Sequence, residues 1–317
     1  MMVKRKIPLI ATALILLCIC FSGCKSDSRS NTDDQGSSGS TLISAVSGEI
    51  TLNGSSISAG SGVSVDGTTA TITKAGTYEI TGSLEDGQIL VDASGEVTII
   101  LNNADITCST SSPIYVKEAK KVVITLADGS VNSIIDGSSY DLAEAVTEPD
   151  AALYSKADMV INGTGSLTVT ANYNDGITGK DTLLIESGAI TVSAVNHGIK
   201  GKDYLMINGG NIIVTSGGDG MKATNDTEAS LGYVEINGGT IGITANDEGI
   251  SAVTSVTITD GLIAIDTSNN GVKSDGLIDI QGGTVEIQAG DDGLICNEQN
   301  ISDAASVTVN GEIISAT

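Results

Sequence analysis

Asn174-Asp175-Gly176-Ile177 is followed 22 residues later by Asn196-His197-Gly198-Ile199. Gly218-Asp219-Gly220-Met221, Asp247-Glu248-Gly249-Ile250, Asn269-Asn270-Gly271-Val272 and Asp291-Asp292-Gly293-Leu294 continue the series. The glycines at 176, 198, 220, 249, 271 and 293 are 22, 22, 29, 22 and 22 residues apart. A near-fixed period of this length marks a stacked solenoid, in which each repeat buries its apolar side only against its neighbours.

Within each repeat the residues read as three short strands. The first follows the glycine and reaches a small residue two positions beyond the apolar anchor: Gly179, Gly201, Ala223, Ala252, Ser274 and Cys296. The second is expected to end at Ile185, Ile207, Ile236, Ile258, Ile280 and Val309. A glycine turn such as Asn208-Gly209-Gly210 precedes the third, which alternates apolar residues, as in Ile190/Val192 and Ile241/Ile243. Period-two alternation turns one set inward and the other to solvent. Three strands in about 22 residues predict an all-β chain folded as a parallel β-helix, with equivalent residues about 4.8 Å apart in successive coils. Ile89, Ile114, Leu153 and Ile177 are expected to be equivalent anchors. The excess between Ile114 and Leu153 places a protruding loop at Asp136–Asp150, and further excesses are expected around 225–231 and 297–303.

Composition agrees with thin coils. The 317 residues include one Phe, seven Tyr and no Trp, but 39 Gly and only 3 Pro. A conventional globular core of this size relies on large rings. Residues 1–23 combine Lys4-Arg5-Lys6 with an apolar run and read as a secretion signal. The small residues Ser22-Gly23 before Cys24 predict a lipidated cysteine, hence a bacterial surface lipoprotein held to the membrane by its anchor alone. Residues 24–41, polar and rich in Ser, Asp and Gly, form the expected tether. Residues 42–82 are less periodic and are expected to cap the coils, which then occupy 83–317 as one carbohydrate-binding domain, a monomer. Cys108 and Cys296 read as buried small hydrophobes.

The formal charge is −24, and loss of Lys4, Arg5 and Lys6 with the signal would make it −27. No arginine follows Arg29. Nucleic acid is therefore excluded as a partner, since phosphates need clustered Lys and Arg.

Two constellations remain. Asp175, His197, Asp219, Glu248, Asn270 and Asp292 stand directly before the repeated glycines. Asn and Asp suit turns for conformational reasons. Glu248 and the doubled Asp247-Glu248 and Asp291-Asp292 are less simply explained, because stacked carboxylates repel unless a cation lies among them. Asp175, Asp219, Asp247, Glu248, Asp291 and Asp292 are thus candidate ligands for Ca²⁺, a hard ion that takes six to eight oxygens. His197, between Asp175 and Asp219, is expected to be charged.

The second constellation is a lysine stripe. Lys156, Lys180 and Lys202 stand three residues after their anchors, and Lys200, Lys222 and Lys273 one residue after. Six of the ten lysines beyond Leu42 thereby share one face. Two readings stand open: a ladder of weak surface pairs with neighbours such as Asp158, Asp181 and Asp203, or a groove whose lysines meet uronate carboxylates. Tyr154 shares the face, and Tyr204 and Tyr233 are equivalent in adjacent coils, placed either to stack on sugar rings or to close the core edge. There is no Ser/His/Asp set and no Cys/His zinc spacing.

The runs Gly87-Gln88-Ile89-Leu90-Val91-Asp92, Pro113-Ile114-Tyr115-Val116-Lys117, Glu148-Pro149-Asp150-Ala151-Ala152-Leu153-Tyr154-Ser155-Lys156 and Tyr173-Asn174-Asp175-Gly176-Ile177 resemble a bacterial family. It is the secreted carbohydrate-binding β-helix family typified by a clostridial cellulosome-associated protein, and the resemblance runs from about Gly48 onward. It implies a right-handed parallel β-helix similar in shape to pectate lyases, bound Ca²⁺, and non-catalytic binding of plant cell-wall polysaccharide, acidic pectic sugars and cellulose. His197, Glu248 and Asn270 depart from the Asp-Gly corner frequent in that family. Two alternatives follow from the residues: a polysaccharide lyase on the same fold, with Lys200 or Lys222 as base, and a structural adhesin without a sugar site.

Overall fold

A computed structural model describes residues 45–315. The secretion signal, the tether and Cys24 lie outside the described residues. The described residues form strands joined by turns, with no helix among them. Nearly all pairings are parallel. The exceptions are Ile57–Ala59 against Gly48–Gly54 and Val63–Asp66 against Thr69–Ile72, both within the segment expected to cap the coils.

Three parallel ladders make up the rest. In the first, Ile89, Ile114, Leu153, Ile177, Ile199, Met221, Ile250, Val272 and Leu294 are successive register partners. All of these are fully buried. The second ladder runs through Asp158–Gly163, Thr182–Ile185, Tyr204–Ile207, Tyr233–Ile236, Ser255–Ile258 and Leu277–Ile280. The third runs through Val131–Asp136, Ser166–Ala171, Ala189–Ala194, Asn211–Ser216, Thr240–Ala245 and Leu262–Thr267. Each strand therefore pairs with the equivalent strand one coil away. The expected anchors, the inward Ile/Val pairs of the third strand and the small row ending in Cys296 all lie in the interior. Full burial of each Ile or Val contributes about 1.5–3 kcal/mol, repeated along the stack.

The two kinds of turn use glycine differently. Gly188, Gly210, Gly239, Gly261 and Gly283, between the second and third strands, have positive φ, which a side chain resists. The repeated corner glycines do not, so backbone conformation is not what selects glycine there. Their reason is space: a methyl at Gly176 would overlap Val192 Cγ1 and the Gly198 carbonyl oxygen, and one at Gly220 would overlap Ile243 Cγ2 and the Gly249 carbonyl oxygen. The backbones of adjacent coils touch there, each corner N–H bonding the next coil, as in Gly176 N to His197 O at 2.9 Å and Gly198 N to Asp219 O at 2.9 Å.

One boundary differs from the sequence reading. Residues 297–303 are not an insertion. Glu298–Ile301 pairs with Leu277–Ile280, with Ile301 opposite Ile280, while Val309 lies opposite Ile287 in the third ladder. Glu298, Gln299, Asn300 and Ile301 are all exposed, so no alternation marked this strand. The 224–232 loop is present. Its Asn225 Oδ1 accepts from Thr227 N, Thr227 Oγ1 and Glu228 N, and its Nδ2 bonds Asp203 at 2.7 Å.

Candidate functional site

The corner residues form a chain of contacts between coils. Asp175 Oδ1 accepts from His197 N at 3.1 Å, His197 Nδ1 from Asp219 N at 3.1 Å, Asp219 Oδ1 from Glu248 N at 3.2 Å, and Asn270 Oδ1 from Asp292 N at 3.3 Å. Each of these side chains satisfies the backbone N–H of the following coil's corner, which would otherwise be buried without a partner. His197 Nδ1 is an acceptor, so the ring is neutral. Burial pushes its pKa down against the pull of Asp175 and Asp219. The expectation of a charged His197 is thereby corrected: desolvation outweighs the two flanking carboxylates.

Register resolves the lysine stripe into two rows. The inner row is Tyr115, Tyr154, Thr178, Lys200, Lys222, Ser251, Lys273. Its lysines turn to the corner acids rather than to Asp158, Asp181 or Asp203. Lys200 bonds Asp175 and stands 3.8 Å from Asp150, Lys222 lies 2.6 Å from Asp219 Oδ2, and Lys273 lies 3.0 Å from Glu248. The outer row lies at the bend after the first strand. Ser155, Gly179 and Gly201 are register partners, so the following Lys156, Lys180 and Lys202 stack coil upon coil. Lys117, which follows Ser155's partner Val116, starts this row and pairs with Asp92 at 2.6 Å. It stands three residues after the anchor Ile114, the same offset as the other three, so the sequence rule extends to it.

The inserted loop lies over these rows. Between Val131–Asp136 and Ala151–Ser155, it is held by Tyr140, which stacks on Tyr173 at 4.1 Å and donates to Asp136 at 2.7 Å. Its Glu148 bridges Lys156 (3.1 Å) and Lys180 (2.7 Å). Burial would raise the Glu148 pKa, but Lys180, Lys156 and the nearby Tyr154 hydroxyl together hold it down to about 2. Tyr154 is on the expected face but 0% exposed. Its ring meets Tyr115 edge-on at 5.7 Å, and its hydroxyl is buried beside Glu148 without a well-aligned hydrogen bond. Tyr154 is therefore no platform for a sugar ring. Tyr204 and Tyr233 are half-buried and stack on each other at 5.2 Å with planes 18° apart, so each covers one face of the other.

Of the six acids expected to hold a metal, the structure brings three together. Single carboxylate oxygens of Asp219, Asp247 and Glu248 lie within 4.8 Å of one another, the one such group among the described residues. Asp219 is fully buried, and its Oδ2, despite Lys222, has no well-formed hydrogen bond. Asp247 accepts from Asn269 at 2.8 Å. Asp175 is not in this group: Lys200, Asn196 and the His197 amide take up its oxygens. Asp291 and Asp292 are not in it either.

Residues 66–316 match the model of a carbohydrate-binding domain-containing protein family. The chain belongs to this family. A carbohydrate-binding domain-containing protein of Acetivibrio thermocellus is 43% identical over 136 residues, which are 42% of this chain and 48% of that protein. The chain thus spans about half the length of the curated relative it matches. A solved structure of a polysaccharide lyase-like protein from C. thermocellum, a gadolinium derivative, superposes with a TM-score of 0.73 at 41% identity, covering 74% of this chain and 97% of that one. As a carbohydrate-binding domain protein with this neighbour, the chain has a polysaccharide lyase-like, solenoid-like all-β fold. The names of the matched proteins do not specify which polysaccharide is bound or by which residues.

Proposed function

We propose that this is a surface lipoprotein whose right-handed parallel β-helix binds acidic plant cell-wall polysaccharide, such as polygalacturonate, without cleaving it, with cellulose as a second ligand. The observation that carries this reading is the outer lysine row. Lys156, Lys180 and Lys202 recur once per coil at about 4.8 Å on a chain otherwise strongly acidic. A row of ammonium groups at that spacing suits a polymer with repeated carboxylates, each met by a charge-assisted bond. Tyr204 and Tyr233 flank the row with an aromatic edge and hydroxyls, and the inner lysines Lys200 and Lys222 lie on its other side. Lipidation at Cys24 and the tether place the domain outside the cell, attached to the membrane only through its anchor.

Ca²⁺ belongs to this proposal at Asp219, Asp247 and Glu248, whose clustered hard oxygens suit it. Its binding would move Lys222 and Lys273 off their carboxylates. When bound, such an ion supplies positive charge beside the lysine face, where it can bridge to a sugar carboxylate.

Binding without cleavage is supported by Lys200, the candidate base that an ion at Asp219, Asp247 and Glu248 leaves in place. It directs its ammonium at the buried carboxylate of Asp175, and an ammonium so engaged cannot accept a proton from substrate. The test is a pull-down of the secreted domain on a panel of insoluble and immobilised polysaccharides, with the supernatant assayed for unsaturated uronate. Retention on pectic polymers without product supports the reading. Product formation would instead make the protein a lyase, and retention on nothing would leave a structural adhesin.

A further inference from the structure

We propose that Glu148 is a resident stand-in for a ligand carboxylate: it occupies a seat built by Lys156 and Lys180, and an anionic polysaccharide must displace it to bind. The inference rests on the reading of the lysine row given above and adds a built-in competitor to it.

Three observations carry it. First, Lys156 and Lys180 are neutralised in a different way from the inner row. The inner lysines Lys200, Lys222 and Lys273 find acids of the coil frame itself, at Asp175, Asp219 and Glu248. Lys156 and Lys180 find none there. Their acid comes from the inserted loop, outside the repeating frame. Second, the seat has the form of a carboxylate site. Glu148 Oε2 is 3.1 Å from Lys156 and Oε1 is 2.7 Å from Lys180, one oxygen to each lysine of two adjacent coils. The lysine side chains are still 41% and 38% exposed, so solvent and ligand reach them. Third, the row continues past the loop. Lys202, next in the stack, is exposed and enters no ion pair among the described residues. A polymer carboxylate can therefore land on Lys202 first, then compete with Glu148 for Lys180 and Lys156 in turn.

A loop that is merely pinned down predicts otherwise: removing the Glu148 charge would loosen the loop and leave binding unchanged. The experiment is titration of polygalacturonate into the wild-type protein and Glu148→Gln at low ionic strength, with a neutral glucan as control and thermal melts to confirm folding. The expected result is roughly tenfold tighter polygalacturonate binding by E148Q, unchanged glucan binding, and loss of the gain when Lys156→Ala and Lys180→Ala are added. Wild-type binding that E148Q leaves equal or weaker overturns the stand-in but not the binding reading. Absence of polygalacturonate binding in both proteins overturns both. A second measurement needs no variant: cleavage of the wild-type loop by a Glu-specific protease should accelerate when polygalacturonate is bound, and unchanged or slower cleavage contradicts displacement.

Discussion

The Asp219 amide donates a 3.1 Å hydrogen bond to Nδ1 of His197, one coil away. The single histidine of the chain is thereby a neutral acceptor at a position where its neighbours in the stack use a carboxylate or an amide oxygen. Asn270 does the same for the Asp292 amide at 3.3 Å. Replacing His197 by Asn should therefore preserve stability within about 0.5 kcal/mol, while His197→Ala should cost about 1–3 kcal/mol by leaving a buried N–H unpaired. Denaturant unfolding at pH 7.5 distinguishes them, and equal losses in the two variants would contradict the capping role.

Corner glycines should be intolerant of even a methyl group. In Gly220→Ala the added carbon meets Ile243 and the Gly249 carbonyl oxygen, both in packed positions. A loss of about 1–3 kcal/mol is expected from overpacking. Gly242→Ala is the control: it lies in the strand Thr240–Ala245, without positive φ, and a Cβ there meets nothing within 4 Å. It should be neutral or stabilising by up to about 1 kcal/mol. Thermal melts of the pair test the claim that coil-to-coil contact, not backbone conformation, selects glycine at the corner.

These residues also show how far the sequence could be read. The anchors, the inward Ile/Val pairs and the small row were legible because a two-residue alternation repeated at a fixed period suits a stacked solenoid and few folds besides. The Glu298–Ile301 strand escaped because its side chains are exposed and mostly polar, so pairing left no pattern. Tyr154 was assigned to the correct face but the wrong environment. Register follows from spacing, whereas the cover given by the 137–150 loop is a long-range contact with no local signal. The lysine stripe was visible as a face, but its partners were not. Neighbours in sequence suggested Asp158, Asp181 and Asp203, while the fold delivers Asp175, Asp219 and Glu248 from the corner, and Glu148 from the loop.

Acidification should release that loop. Glu148 has its pKa held down to about 2 in the folded chain, against an ordinary value of 4.5. A depressed carboxylate stabilises fully above its unfolded pKa and loses that contribution as pH falls through the folded one. The Lys156–Glu148–Lys180 clamp should thus be intact at about pH 5 and above and weaken between about pH 4.5 and 2. Difference melts of wild type against E148Q, taken across that range, should converge toward its acid end, and a constant difference would contradict the clamp.

Calcium should act through Asp219, Asp247 and Glu248. Adding Ca²⁺ at about 100 times its Kd should stabilise the wild type by about 2.7 kcal/mol. Asp247→Asn keeps the shape of the least buried ligand and removes its charge, so it should sharply reduce this shift. Asp291→Asn, outside the cluster, should leave it intact. An equal shift in both variants would move the ion to another corner.

The most direct test of the account is calorimetric titration of the domain with polygalacturonate, with Ca²⁺ and again with chelator, while the ligand is monitored for unsaturated ends. Saturable binding without product, lost when Lys156, Lys180 and Lys202 are replaced together by Ala, is the predicted result. Binding in neither condition, or binding untouched by loss of the three lysines, would contradict it.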